Sequence, residues 1–401
     1  MTAITAIVPT YDRAAFLDEA LAALAAQTRP VAEILIWDDG STDGTAEVAA
    51  AWTKRDDRVR AFRGDNAGKS RALNRAMEEA RGDAIWICDD DDLSRPDAAE
   101  RMAAAMEATG APVVGGSYER FGTDPATGAA VAADPGYRPD LSSGSMLRHL
   151  LEDIFVFQNA TLATRAAYGR VGPFREDLPR SIDYDMIVRL ASRHPVAYVD
   201  APLFDQRKHE GARGPAAARH EATRMEAVWR EADQRVFRDF WDKLPLSLYE
   251  AMFEAADPRL VSRAARLQRG AVYARRNLWD LAADEFEAAA RADAPAGLTA
   301  EETAIAIRAM AGKHGCAGAF EPLTKARLAG LKRSGETGAA IAAALGRGLR
   351  WRLRDAVKAR DAAGAARLAG LSATLGWRAR PHLPDRLAER DELPAAAYSW
   401  T

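Results

Sequence analysis

Cysteine is scarce: the 401-residue chain has two, Cys88 and Cys316, far apart. Neither has a C-x-x-C neighbour, so a disulfide framework and a thiolate metal or redox centre are excluded, and a reducing compartment fits. The start, MTAITAIVPTYDR, lacks a basic segment leading into an apolar one, and nowhere do the ~18 consecutive apolar residues of a membrane span occur. A soluble, cytoplasmic protein is expected. An excess of one charge is missing only in the total, where a formal net charge of −3 joins two unlike parts. Residues 301–401 hold 17 Lys+Arg against 10 Asp+Glu, a charge of +7, which leaves −10 for the first 300 residues. Acid-rich loops suit a cation, and a basic tail suits either an anionic surface or a solvated helical face. With 48% hydrophobic residues, a packed core is affordable and disorder is excluded; at roughly 150 residues per domain, two or three domains are expected.

What is present is alternation. ITAIVPT (4–10), AEILIWDD (32–39), RVRAFRG (58–64) and DAIWICDD (83–90) are short apolar runs of the kind that form buried strands. Between them, residues 14–28, 45–55 and 69–82 space their apolar residues as helices do, with Pro30 and Gly82 as stops. This βαβ repetition predicts an α/β fold whose mainly parallel sheet is flanked by helices. A helix over 96–110 and a strand over 111–120 follow, then a Gly/Pro/Asp-rich loop or hairpin over 121–145. Residues 187–193 read as helix and 196–208 as extended. From about Ala216 the pattern is helical only, which divides the chain into 1–215 and an all-α part, 216–401. Within the latter, Gly270, Tyr273, Ala282, Phe286 and Ala289 have the spacing of a tetratricopeptide helix pair, at about 260–293; an ordinary helical hairpin explains a single copy equally well.

Acidic residues cluster where the predicted strands end, the edge at which parallel sheets open their binding crevice. Asp38 and Asp39 lead into DDGSTDGT, a glycine turn in which Ser41, Thr42 or Asp43 caps the next helix. The segment imitates a calcium loop until its twelfth position, Ala50, where a Glu is required. Asp89–Asp92 are four adjacent carboxylates; left at a strand end they repel one another unless a cation compensates. A hard divalent ion, Mg²⁺ or Mn²⁺, completed by water and phosphate oxygens, fits; a solvated acidic loop is the competing reading. A phosphatase D-x-D is disfavoured by Leu93, where Thr or Val belongs. Asp183 and Asp185 form the third cluster. Trp37 and Trp86 are expected in the core.

VPTYDR (8–13), DDGSTDGT (38–45), NAGKSRALNRA (66–76), RGDAIWICDDDDLSRPD (81–97) and YGRVGPFREDLPRSIDYDMIVRLA (168–191) resemble, in order and spacing, the signature segments of family 2 glycosyltransferases of the GT-A fold. The resemblance covers about residues 4–213. It implies that Pro9, Thr10 and Tyr11 line a nucleotide pocket, that Asp39 accepts a hydrogen bond from the base, and that Lys69 and Arg71 lie near the diphosphate or base. It further implies Asp91 as metal ligand, Asp89 or Asp90 facing the ribose, and Asp183 as general base. Relatives often place Glu before that Asp; Ile182 stands here, with Asp185 as the fallback. His209 matches a relative's H-x-G segment near the diphosphate and metal, with a solvent-exposed histidine as the alternative; Arg207, Lys208 and Arg213 flank it.

The function expected from the resemblance is inverting, metal-dependent transfer of a sugar from a nucleotide diphosphate, UDP being favoured, to a hydroxyl of a glycan, lipid-linked precursor or protein. The contrasting expectation is a catalytically weak nucleotide-sugar-binding or scaffolding protein acting through its helical part. Nucleic acid is not an expected partner. The basic stretch GLRWRLRDAVKAR (348–360) suits either contact with the inner face of a membrane or a place inside a helical bundle.

Overall fold

The computed structural model describes residues 2–123, 130–208, 222–378, 382–384 and 386–400. The chain divides into two compact units, one of residues 1–140 and 154–225, the other of residues 141–153 and 226–401. The second unit thus takes thirteen residues from the middle of the sequence, a segment that the sequence reading left with the first.

In the first unit, β1 (Ile4–Thr10), β2 (Glu33–Asp38), β3 (Val59–Arg63) and β4 (Ala84–Ile87) lie side by side in the order β3-β2-β1-β4, all parallel. They are joined by α1 (Ala14–Ala25), α2 (Thr45–Arg55) and α3 (Lys69–Glu79). Every residue of β1 is buried, as a central strand covered on both faces requires. Ile4, Ala6 and Val8 share a core with Leu17, Leu21 and Leu24 of α1 and with Trp86 of β4, which places the apolar stripe predicted for 14–28 on the sheet.

Past β4 the sheet continues through β5 (Leu93–Ser94), α4 (Ala98–Thr109), β6 (Val113–Thr123), β7 (Ala130–Pro135), α5 (Met146–Glu152), β8 (Thr161–Thr164), α6 (Arg165–Val171), α7 (Ile182–Arg193) and β9 (Val196–Arg207), of which α5 belongs to the second unit. The order onward from β4 is β8-β6-β9-β5, with β7 on β6. Strands β5, β7 and β8 run against the others. Strand β7 makes part of the expected loop a hairpin with β6. Helix α7 begins five residues before the predicted start, because Ser181 takes a left-handed turn (φ 59°) and Tyr184, Met186 and Ile187 are buried behind an acidic first turn.

The second unit contains most of α8 (Ala222–Lys243), then α9 (Leu246–Glu250), β10 (Phe253–Ala255), α10 (Pro258–Arg275), α11 (Trp279–Ala290), α12 (Ala300–Arg308), α13 (Pro322–Gly330), α14 (Gly335–Gly348), α15 (Arg350–Lys358), α16 (Ala362–Leu375) and β11 (Leu387–Glu389). Among the described residues its helices also carry an antiparallel pairing of β10 with β11 that the periodicity did not announce. Helices α10 and α11 pack where the repeat-like spacing lies. A Cβ on Gly270 would stand 2.8 Å from the Phe286 ring, so the glycine is what lets the two helices close on that ring.

The segment 141–153 is held by charge as well as by Leu147, Leu150 and Leu151, all buried. Glu152 Oε1 accepts from Gln268 Nε2 (2.9 Å) and Arg308 Nε (3.0 Å), while its backbone carbonyl accepts from Arg275 and Arg276 (both 2.9 Å). Arg148 Nε donates to Glu389 Oε1 at 2.9 Å. Burial would raise Glu152, but the guanidiniums of Arg308, Arg275 and Arg148 hold its carboxyl well below the usual range.

Candidate functional site

The site is built at the C-terminal ends of β1, β2 and β4. After β2, Asp38 Oδ1 accepts from Ser41 N (2.8 Å), closing the DDGS turn. Gly40 sits at φ 82°, where a Cβ would be 2.8 Å from Asn66 N; only glycine lets the turn approach that backbone. Asp43 bridges two helix starts, its Oδ1 accepting from Thr45 N (2.9 Å) and its Oδ2 from Ala14 N (3.2 Å). Thr45 Oγ1 and Ser41 Oγ accept from Arg13 N (2.9 Å) and Asp12 N (3.0 Å). The acidic turn after β2 is therefore a brace for the loop after β1, the loop that follows Pro9, Thr10 and Tyr11.

Asp39 is buried and receives two amides, Ala67 N on Oδ1 (3.0 Å) and Gly68 N on Oδ2 (2.8 Å). Burial raises its carboxyl above the ordinary range despite those bonds, and Asp38 adds to the rise. Each oxygen retains a lone pair for a further donor. Beside it opens a cleft of about 260 Å³ lined by Trp37, Asp39, Gly64, Asp65, Ala67, Arg71, Ala72 and Arg75. Trp37, expected in the core, instead lines this cleft half-buried and stacks on Phe62 at 6.0 Å. Trp86 is fully buried and donates to Asn159 O at 2.8 Å. Trp37 shares its face of β2 with the buried Leu35, but it stands one residue before the strand's end, where the cleft opens.

Past β4 the four carboxylates separate by role. Asp92 is buried and structural, taking Asn159 Nδ2 (3.1 Å) and Arg207 N (2.8 Å). Asn159 also accepts from Asp89 N at 2.5 Å, so one buried amide pins both ends of the run. Asp89 forms an ion pair with Lys69. Desolvation opposes the Lys69 charge, but Asp89, and after it Asp183 and Asp90, keep the ammonium above the ordinary lysine range. Asp90 is buried and, with Asp91 and Asp89 adding like charge, is pushed up to about 7. Arg13 faces Asp90 and Asp91 at 3.8 and 3.7 Å, beyond direct hydrogen-bond reach. Asp183, on the first turn of α7, is half-buried, and its charge reaches Lys69. Arg71 pairs with Glu176 at 3.3 Å.

Residues 5–161 match the family model described as Glycosyl transferase family 2. Over that stretch this chain is similar to family 2 glycosyltransferases. Among curated relatives, the glycosyltransferase GlyG of Streptococcus pneumoniae is 33% identical over 119 residues, 29% of this chain and 40% of that one. The uncharacterized glycosyltransferase EpsJ of Bacillus subtilis is 32% identical over 121 residues, 30% of this chain and 35% of that one. The chain thus spans less than half the length of the curated relatives it matches. Among solved structures, S. aureus TarS 1–349 in complex with UDP-GlcNAc superposes with TM-score 0.50 at 14% identity, covering 98% of both chains. The fold is GT-A.

Within the first unit, three charged residues singled out by sequence have structural partners. Asp185, the fallback base, is buried and clasped by Arg189 Nε and Nη2 at 2.8 and 2.6 Å. Arg207 is buried across Asp91 O (2.9 Å) and Glu19 (2.5 Å), with its guanidinium over Phe16 and Phe121. Lys208 reaches Asp134 at 3.0 Å. His209 and Arg213 lie outside the described residues. Sequence reasoning missed Asn159, Arg13 and Asn74. Asn74 brackets the backbone of Phe174, donating to its carbonyl (3.0 Å) and accepting from its N–H (2.8 Å), and so ties α3 to the segment that leads to Asp183. Its place within NAGKSRALNRA was the available signal.

Proposed function

We propose that the protein is an inverting, metal-dependent glycosyltransferase that moves a sugar from a nucleotide diphosphate to an acceptor hydroxyl of a glycan, lipid-linked precursor or protein. The observation that carries this reading is the convergence of Asp89–Asp91, Lys69 and the charge of Asp183 at one end of the sheet. The cleft beside Trp37, Asp39 and Arg71 is the proposed seat of the base, with Pro9 and Thr10 at the end of β1 and Tyr11 just after it; uracil is favoured because TarS, of like fold, was crystallised with UDP-GlcNAc. The two cysteines are buried free thiols, which suits a cytoplasmic enzyme.

The donors fit a hard divalent ion. Asp90 is raised to about 7 by burial and by its acidic neighbours, the state of a cluster short of positive charge. No group of three or more ligating side chains occurs among the described residues, and Mg²⁺ or Mn²⁺ commonly takes only one or two carboxylates, the rest being water and phosphate. Asp91 would hold the ion, with Asp89 or Asp90 turned to the ribose. When bound, such an ion supplies Lewis-acid neutralisation of the leaving diphosphate. Lys69 adds a fixed positive charge beside it. Asp183 takes the proton of the acceptor hydroxyl as the new bond to the anomeric carbon forms and the bond to the diphosphate oxygen breaks on the opposite side, inverting the centre.

The test is release of nucleotide diphosphate, and transfer, from UDP-, GDP- and dTDP-sugars with Mn²⁺, with the product anomer read by NMR. Loss in both Asp91→Ala and Asp183→Asn is expected; full activity in both overturns the site, and a retained anomer overturns the single displacement.

A further inference from the structure

Helix α15 buries none of its residues, and α16 buries two, Leu371 and Leu375. Helices this short are marginal alone, and in folded proteins tertiary packing supplies most of their stability. The hairpin is joined to its own unit at its base: Arg352 donates to Met310 O (2.8 Å) and Gly312 O (2.5 Å), and Ser372 Oγ to Gly346 O (3.1 Å). Its outer surface is uncovered. At 100° per residue, Arg350, Trp351, Arg354, Val357 and Lys358 fall on one broad side of α15 and are all exposed. Trp377 follows α16 at the same end, its ring under the Arg350 guanidinium at 5.9 Å.

The chemistry of this side is cationic and apolar together. Trp351, Val357 and Trp377 are 38%, 62% and 58% exposed. Beside them the same side carries three cations, Arg350, Arg354 and Lys358, while of the two acids of residues 347–378, Asp355 and Asp361, Asp361 is spent on the N–H of Gly364 at 2.9 Å. We infer that the outer face of the α15–α16 hairpin docks the protein on an anionic lipid surface. Indole rings favour the boundary between water and hydrocarbon, where one end stays wet. Cations flanking them draw the face to acidic headgroups, at about 1 kcal/mol per charge. The exposed side of α16 is mostly alanine and glycine, a smooth surface that suits a bilayer better than an interlocking protein partner. No helix among the described residues is long and apolar enough to cross a membrane, so the contact is peripheral.

The full chain is sedimented with phosphatidylcholine vesicles with and without phosphatidylglycerol, at low and high salt. Salt-sensitive binding to the anionic vesicles alone is expected. The exposed triple variant R350E/R354E/K358E should lower the partition coefficient at least on the order of 100-fold, and W351A/W377A should lower it less while removing the part that survives salt. Far-ultraviolet circular dichroism checks that both variants remain folded. Absence of vesicle binding, or equal binding by the triple variant, overturns the inference. So does salt-sensitive retention on heparin without vesicle binding, which assigns the face to a soluble polyanion. Binding is read without turnover, so its failure and that of the transfer reading are told apart; donor hydrolysis in solution should be unchanged in both variants.

Discussion

At the end of β4 four carboxylates stand in a row, with Lys69 on Asp89 and Arg13 just out of hydrogen-bond reach of Asp90 and Asp91. In the helical unit, Glu152 lies among Arg148, Arg275 and Arg308, and Glu302 is gripped by both nitrogens of one Arg263 fork at 2.6 and 2.9 Å. The first group leaves Asp90 driven toward neutrality; the second drives Glu152 deep into its charged form. Buried charge is costly in both places. Where partners satisfy it, the charge fixes one packing arrangement. Where like charges crowd in a buried place, as at Asp90, the carboxyl is instead pushed toward its neutral form.

That contrast can be broken first at the candidate site. Asp183→Asn should lower kcat by about 10²–10⁴ with little change in donor affinity, and Asp91→Ala should act at least as strongly through loss of metal dependence; steady-state kinetics across a Mn²⁺ titration checks both. At the other end the prediction inverts. Glu302→Ala strands Arg263, whose side chain is fully buried, and should cost about 3–5 kcal/mol in urea unfolding while leaving per-molecule turnover of the folded enzyme intact.

Acid sharpens the comparison further. His149 Nδ1 lies 3.1 Å from Arg148 and its Nε2 2.9 Å from Ser143 O, so the ring donates through Nε2 and has no room for a second proton facing the guanidinium. Burial, then Arg148, lowers it to about 4. The unfolded chain takes up a proton near pH 6.5 that the folded one refuses, so the contribution is complete above pH 6.5 and lost as pH falls toward 4. It is on the order of 3 kcal/mol. Glu152, depressed by its arginines, acts in the same direction at lower pH. Urea midpoints between pH 7 and 4 should fall, and His149→Gln should flatten the upper part of that decline. The smallest effect is steric: Gly270→Ala forces a methyl against Phe286 and should cost about 1–3 kcal/mol, read as a lowered Tm.

The alternating half of the fold was legible because its signals are local. Apolar runs of β1, β2 and β4, the stripe of α1 and the acidic strand ends each report themselves within ten residues, and so did most of the candidate site. Contacts that span the chain left no such trace. Asn159 is one amide with no pattern around it, yet it holds Asp89 and Asp92. Asp185 looked like a reserve base because its sequence neighbour is Asp183, while the residue that neutralises it, Arg189, stands one turn on. Strands β5, β10 and β11 are too short to show a period. Segment 141–153 joined the end of an expected loop, 121–145, to residues with no assigned element, because nothing in its composition tells which core its leucines enter.

The placement of α5 has a consequence for synthesis. Arg148 and its partner Glu389 are separated by 241 positions, which at about 5–20 residues per second leaves the segment waiting roughly 10–50 s on a growing chain. During that wait Arg148 lacks its acid, although Glu152 can already meet Gln268, Arg275, Arg276 and Arg308, and the residues on either side of the segment belong to a sheet that can already be forming. A ribosome that pauses before residue 258 would leave an apolar, half-charged strap without the helix that carries its first partners, the kind of segment that chaperones bind.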